Sequence, residues 1–425
     1  MGMRALAWVA LASVFGLTGL AQPPTELFDY VRAQRGEVRW EVVRAPEGVP
    51  GTWELRLRSQ VWRGLPWTHR LLLVDPGRRA VEDVMLLYLG GDPYPGEELL
   101  GLALAQAAGL RVAILNSVPN QPLFGLREDA LIAHTFARYL AEGSADWPLL
   151  FPMVQSAVAA MDALAALAPE LWGGKLRGFL LVGASKRGWT AYLAAAVDPR
   201  VLGIIPIVFD FLNFPAQLAR QEELLGGPSP KLGDYTARGL TTLAAPTPAA
   251  LRLAWLVDPY SYRYAYTMPK LLVVGSNDPY WATDATALYW PGLPEPKLLY
   301  VVPNVGHNVL LGEGVLSTLA AFARAVALGR PLPRVQGFWR PLGDRVELVV
   351  QADRPARRAR LWRAEGPSPD LDRARWQAEE LPGDGQRFVA ELRRPSGYLG
   401  CFAELEFEVE GLSLLVSTPV RLLGP

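Results

Sequence analysis

Three side chains carry the chemistry this sequence offers: Ser185, Asp278 and His307. They come in the order nucleophile, acid, base, and each stands just past an apolar run that reads as a strand. Ser185 lies in Gly183-Ala184-Ser185-Lys186-Arg187-Gly188, after the run Gly178 to Val182 and before Trp189 to Ala196, which reads as a buried helix. A strand, a tight turn carrying Ser and a helix make a nucleophile elbow, which lifts the hydroxyl to the top of a sheet. Flanking glycines let strand and helix approach, because no Cβ stands between them. The spacing is G-x-S-x-x-G, not the strict G-x-S-x-G, so the motif depends on what accompanies it. A serine hydroxyl is a weak nucleophile without a base to take its proton and an acid to hold the base in the right tautomer.

The chain has three histidines, His69, His134 and His307. His69 falls in a predicted strand and His134 in mid-helix, and both read as structural. His307 closes Val302-Pro303-Asn304-Val305-Gly306-His307 and is the expected base. The acid has three candidates. Asp278 closes the turn Gly275-Ser276-Asn277-Asp278 and ranks first. Asp210 ends the strand Gly203 to Phe209 and ranks second. Asp284, third, would either cap the next helix or bind the histidine. The oxyanion site is expected from the backbone N–H of Lys186 and one N–H of Gly90 or Gly91. For these glycines a plain strand-end turn is the alternative. The Lys186 ammonium, next to the nucleophile, would stabilise the oxyanion or bind an anionic substrate; the plainer role is a solvated or salt-bridged lysine. Tyr280 and Trp281 are candidates for an apolar substrate pocket, together with Tyr260, Tyr262, Tyr264 and Tyr266. Core filling is the alternative for all of these aromatics.

The elements that must position these groups read as an α/β fold. Strands are expected at 84–89, 111–115, 178–182, 203–209, 270–274 and 297–302, with helices at 97–108, 128–142, 153–166 and 316–328. Such alternation implies a mostly parallel sheet covered by helices on both faces. The carboxyl ends of its strands form the binding crevice, so residues at three strand ends converge there, in the chain order of α/β-hydrolases. Alternating strands between 37 and 74 read as an antiparallel addition to the sheet. The long stretch 212–266 reads as a cap insertion over the crevice. After Pro331 the short strands at 345–350, 359–362, 388–392 and 402–407 predict a small β-sandwich. The expected organisation is a leader over 1–21, an α/β-hydrolase domain over 22–330 and the sandwich over 331–425.

Composition excludes several other roles. Lys and Arg number 42 against 42 Asp and Glu in 425 residues, so no basic surplus points to nucleic acid. The single cysteine, Cys401, allows no internal disulfide and no thiolate metal cluster. No zinc-ligand spacing occurs, and Gly90-Gly91 followed by Gly96 is not a dinucleotide fingerprint. No metal and no cofactor are expected. Met1 to Leu20 reads as a signal peptide, with Arg4, an apolar stretch, and small Gly19 and Ala21 before Gln22. A retained anchor is the alternative, although a span needs about 20 apolar residues. The chain is expected to be exported, whether secreted, periplasmic or cell-envelope associated, with no membrane span after cleavage.

The elbow Gly183-Ala184-Ser185-Lys186-Arg187-Gly188-Trp189 resembles that of the PhoPQ-activated pathogenicity-related proteins, which include autocrine proliferation repressors. Val118-Pro119-Asn120-Gln121-Pro122-Leu123, the run Arg127 to Ala133, Trp147-Pro148, Pro152-Met153, Asp258-Pro259-Tyr260, Gly275 to Trp281 and Val302 to His307 carry the rest of the likeness. The resemblance implies an exported α/β-hydrolase-like protein of undefined substrate. The elbow is also similar to that of glucuronoyl esterases, where an Arg stands in the place of Lys186; this similarity implies an acid at the end of the preceding strand and keeps Asp210 open. The expected function is a serine hydrolase working through an acyl-enzyme on a small-molecule ester or, second, a short peptide. The alternative is a secreted signalling or binding protein on a hydrolase scaffold, engaging a protein partner through its C-terminal domain.

Overall fold

The computed structural model describes residues 23–44, 51–242 and 246–425, so the predicted leader lies outside the described residues. One sheet contains β1 (Arg39–Arg44), β2 (Thr52–Trp62), β3 (Leu65–Val74), β4 (Val84–Leu89), β5 (Arg111–Leu115), β6 (Gly178–Ala184), β7 (Val201–Ile207), β8 (Lys270–Gly275) and β9 (Lys297–Val302). Their order is β1-β2-β3-β5-β4-β6-β7-β8-β9. β1, β2 and β3 pair antiparallel, β3 meets β5 antiparallel, and the remaining strands run parallel.

The strands β4, β6 and β7 carry no charged residue because both faces of the sheet are covered there. Alternate residues point to opposite sides. Leu87 and Leu181 pack with the helices Leu150–Trp172 and Lys186–Val197. Leu86 and Leu180 pack with Glu97–Ala108 and Val315–Ala327. The helix expected at 153–166 spans Leu150–Trp172; it runs on through Pro169 and ends at Gly173, whose φ of 70° closes it in the left-handed region. It is the one helix among the described residues long and apolar enough to cross a membrane, but 83% of its apolar window is buried inside the protein. β2 and β3 run longer than expected, joined at Arg63 and Gly64, whose φ values of 49° and 79° match the twist of a two-residue hairpin turn.

Between β7 and β8 the chain forms the helices Phe214–Leu225 and Pro248–Val257 and the 3-10 segment Pro259–Ala265. Buried Asp258 fastens the start of this insertion to its end. Its carboxylate accepts the N–H groups of Asn213 at 3.1 Å, Phe214 at 2.8 Å and Tyr260 at 2.9 Å. Burial pushes this carboxyl up to about 7 against the pull of those donors.

The C-terminal residues form two antiparallel sheets. One contains β10 (Val335–Leu342), β11 (Arg345–Ala352) and β14 (Arg387–Arg393). The other contains β12 (Arg358–Gly366), β13 (Gln377–Glu380), β15 (Tyr398–Val409), β16 (Leu412–Ser417) and β17 (Arg421–Leu423). Leu348 and Val350 of the first share an apolar layer with Leu361 and Leu405 of the second. β10, β13, β16 and β17 were not expected; β10 and β13 are largely exposed and lack an apolar face to announce them. β16 stays in its own sheet but lies beside the β9 edge of the large one, where Ser417 Oγ accepts the N–H of Val301 at 3.1 Å and so covers that edge.

Asp258→Ala should leave three backbone donors unpaired and cost about 3 kcal/mol of stability. The check is a lower denaturant midpoint with an unchanged slope.

Candidate active site

Ser185 is the single residue between β6 and the helix Lys186–Val197. Its backbone has φ 55° and ψ −126°, a conformation that costs about 1–3 kcal/mol and persists only where the surroundings enforce it. The Ser185 N–H donates to the Ile207 carbonyl at 2.7 Å, and its carbonyl accepts the Trp189 N–H at 3.1 Å. A Cβ on Gly183 would sit 2.4 Å from the Arg187 carbonyl oxygen, and one on Gly188 would sit 2.9 Å from that of Gly183. Strand and helix therefore touch backbone to backbone at the elbow.

Asp278 follows β8 and His307 follows β9. Asp278 Oδ2 lies 2.7 Å from His307 Nδ1, and its Oδ1 accepts the Tyr280 N–H at 3.1 Å. Asp278 is 7% exposed. The two loops meet because Gly275 has no side chain; a Cβ there would stand 2.3 Å from the Gly306 oxygen. The Tyr280 ring stacks on His307 with centroids 4.2 Å apart. The other two acids are engaged elsewhere. Asp210 accepts hydroxyls from Thr286, at 2.7 Å, and Tyr289. Asp284 binds Arg220 through Nε at 3.1 Å and Nη2 at 2.6 Å. Ser185 Oγ has no hydrogen-bond partner among the described residues; such bonds are often long in unliganded sites and tighten with substrate.

His69 is buried, with Nε2 2.9 Å from Ser59 Oγ and Nδ1 3.0 Å from the Asn116 carbonyl. Burial pushes its ring down to about 4. His134 packs on Phe124 at 5.3 Å between centroids. Neither ring contacts the Ser185, Asp278 or His307 side chains among the described residues.

The two oxyanion glycines separate. The Gly90 N–H donates to the Leu115 carbonyl at 2.8 Å, so the expectation that it serves an oxyanion is corrected: parallel pairing runs on past β4 and consumes the donor. The N–H groups of Gly91 and Lys186 meet no acceptor among the described residues. The Lys186 ammonium is not free either. It lies 2.9 Å from Glu128 Oε2 and 3.3 Å from Asp129 Oδ2, with the side chain 9% exposed. Arg187 donates to both Glu128 oxygens at 2.6 Å and to the Val118 carbonyl at 2.6 Å. Burial alone would raise the Glu128 carboxyl, but Arg187 and Lys186 pull it down to about 2. The salt-bridged role is thus the one Lys186 has, since a substrate anion would have to displace two carboxylates.

Ser185 and Lys186 border a cavity of about 140 Å³. Its wall includes Trp189 stacked on Phe209 at 5.1 Å. Phe214, Leu253 and Val257 come from the insertion after β7, and Tyr280 and Trp281 complete the wall. Tyr262 and Tyr266 fill the core instead, at 1% and 0% exposure, and Tyr264 faces solvent. Among the described residues no cluster of three or more His, Cys, Asp or Glu side chains could hold a metal ion.

Asn277 and Asn304, neighbours of the acid and base, had no assigned role in the sequence. Asn277 Nδ2 donates to the Asp372 carbonyl at 2.9 Å and the Ala374 carbonyl at 2.7 Å. Asn304 exchanges bonds with the Trp376 backbone at 3.0 and 2.8 Å. Thr283 Oγ1 donates to the Pro369 carbonyl at 3.0 Å. One loop of the C-terminal sheets thereby grips both catalytic-candidate loops. Nothing in the local sequence signalled this, because the partners are backbone carbonyls distant along the chain.

Several known proteins share this architecture. Acetyl xylan esterase 1 from Thermoanaerobacterium sp. JW/SL YS485 superposes with a TM-score of 0.50 at 17% identity, over 73% of this chain and 96% of that one. The acetyl xylan esterase from Paenibacillus sp. R4 gives 0.50 at 14% identity, over 73% and 96%. At such identities the likeness is one of fold, that of the α/β-hydrolases. Autocrine proliferation repressor protein A of Dictyostelium discoideum is 31% identical over 332 residues, which are 73% of this chain and 66% of that protein. The chain thus spans about two thirds of the length of that curated relative. Residues 27–372 match the family described as PhoPQ-activated pathogenicity-related protein, and it is to this family that the chain belongs.

Proposed function

We propose that the protein is an exported serine hydrolase that cleaves an ester through an acyl-enzyme. The observation that carries this is the 2.7 Å contact between Asp278 and His307, in loops that leave β8 and β9 at the same end of the sheet as the elbow that holds Ser185 leaves β6. Ser185 Oγ attacks the substrate carbonyl carbon while its proton passes to His307 Nε2. Asp278 holds Nδ1–H and favours the imidazolium. The oxyanion accepts the N–H groups of Lys186 and Gly91, at the positive end of the helix Lys186–Val197. The ester C–O bond breaks, and the alcohol leaves with the proton held by His307. A water molecule, deprotonated by His307, then attacks the acyl-Ser185 carbonyl and releases the acid. The ion cluster of Lys186, Arg187, Glu128 and Asp129 sets the helix start rather than binding substrate charge.

A second reading is a signalling protein on this scaffold, favoured by the name of the Dictyostelium relative. It requires that Ser185→Ala keep any proliferation-repressing activity. The hydrolase reading requires that a fluorophosphonate label Ser185 and that Ser185→Ala abolish both labelling and ester turnover. A folded wild-type protein that is neither labelled nor active on an ester panel overturns it. For export, the purified extracellular chain should begin at Gln22; a retained Met1 refutes cleavage.

The acid is separable by mutation. Asp278→Asn should lower kcat about 10⁴-fold, whereas Asp210→Asn should change it by less than about tenfold. Asp210→Asn should act on stability instead. Burial pushes the Asp210 carboxyl up to about 6, opposed by the hydroxyls of Tyr289 and Thr286, whereas the unfolded chain loses this proton near pH 4. The folded state therefore binds the extra proton between those values. Stability from this group is highest at and below about pH 4 and falls as pH rises to about 6. Urea midpoints across that window should show a shallower decline in Asp210→Asn than in wild type.

A further inference from the structure

An acyl-transferring site must hold the acyl group on one side of the nucleophile and the departing alcohol on the other. We propose that the cavity beside Ser185 is the acyl pocket, and that it takes a compact, uncharged apolar acyl group of about one aromatic ring or a six-carbon chain. The substrate class is then the neutral esters of such acids. This rests on the hydrolase proposal above.

Three observations carry it. The first is size. The cavity measures about 140 Å³, close to the apolar cavity of about 150 Å³ that accepts benzene in another protein. The second is lining. Trp189, Phe209, Phe214, Leu253 and Trp281 supply apolar and aromatic wall. The two charged residues on the wall, Lys186 and Asp129, are paired with each other at 3.3 Å. The Tyr235 hydroxyl is spent on Asp129 at 3.1 Å. A charged acyl group would enter without a free counter-ion, which low-polarity surroundings penalise heavily. The third is direction. Ser185 and Lys186, the nucleophile and an oxyanion donor, border the cavity, and His307 does not. The base must hand its proton to the leaving alcohol, so the alcohol lies toward His307 and the acyl group points away from it. Tyr280, which lines the cavity and stacks on His307, stands at the boundary between the two.

The far wall belongs to the insertion after β7, where Ala254 lies on the helix Pro248–Val257. This helix is the element that would set acyl length. A side chain enlarged there intrudes on the acyl group without touching the triad.

The test is a p-nitrophenyl ester series of acetate, butyrate, hexanoate, benzoate and dodecanoate. In wild type, kcat/KM should rise about fourfold per added methylene from acetate to hexanoate, stay high for benzoate and fall for dodecanoate. In Ala254→Phe the hexanoate-to-acetate ratio should drop at least about tenfold. An active wild type whose kcat/KM is flat or falling from acetate to hexanoate, or highest for dodecanoate, overturns the proposal. Binding separates its failure from failure of the hydrolase reading, and it needs no turnover. Acetophenone and 2-heptanone, but not acetone, should raise the melting temperature of Ser185→Ala protein, and Ala254→Phe should abolish that rise. Ketone binding without any ester turnover keeps the pocket and refutes the hydrolase. Absence of ketone binding refutes the pocket. Should Ala254→Phe fail to fold, Ala250→Leu, on the same wall, takes its place.

Discussion

The site depends on backbone meeting backbone where side chains would normally intervene. At Gly183 a methyl group would stand 2.4 Å from the Arg187 carbonyl oxygen, and at Gly275 it would stand 2.3 Å from that of Gly306. The first approach permits the tight turn in which Ser185 takes a φ of 55°. The second lets the loop carrying Asp278 close on the loop carrying His307. Both are steric permissions rather than attractions. The strained conformation at Ser185 must be held by its surroundings, and they are rigid: an apolar strand on one side and a buried helix on the other.

A third restraint comes from the end of the chain. The loop at 369–376 binds Asn277, Thr283 and Asn304 through backbone groups. The loops carrying Asp278 and His307 leave adjacent strands, β8 and β9, and their ends would otherwise be free to separate. Carbonyl acceptors on a loop anchored in an antiparallel sheet remove that freedom. The C-terminal sheets are therefore a brace for the site, and their apolar layer is continuous with that of the helix Val315–Ala327. This physical role needs no exposed recognition surface on those sheets.

Much of the core fold was legible because its signals are local. Val84–Leu89 is an unbroken apolar run, and Arg111–Leu115 and Lys297–Val302 are apolar after one leading basic residue; all are closed by polar or turn residues, and their boundaries in the structure agree with the sequence. The turn around Ser185 was legible because glycine spacing reports close approach. What stayed hidden was set by partners far along the chain. Gly90 offers no sign that its N–H goes to Leu115. The sequence offered a salt-bridged Lys186 but not its partners, Glu128 and Asp129, which arrive from another helix. Glu128-Asp129 did appear in the sequence, but acidic residues at a helix start also favour the helix dipole, so their second role was masked. β13 failed for the opposite reason: its four residues are all exposed, and an edge strand without a buried face has no periodicity to read.

The ion cluster explains how two cations can follow Ser185 directly, each with a carboxylate partner. Lys186 and Arg187 occupy the first two positions of a helix, where positive charge is opposed by the dipole. Left unpaired there, both would destabilise the turn. Glu128 and Asp129 reverse the balance, and they do so from the first turn of the helix Glu128–Glu142, where negative charge is favoured. Two helix starts are thus held together by opposite charges, one favourably placed and one not. The unfavourable pair is tolerated because it fixes the helix that begins directly after Ser185. The result is a Ser185 flanked by charge yet bordering an apolar cavity, with the Lys186 and Gly91 backbone N–H groups without an acceptor among the described residues.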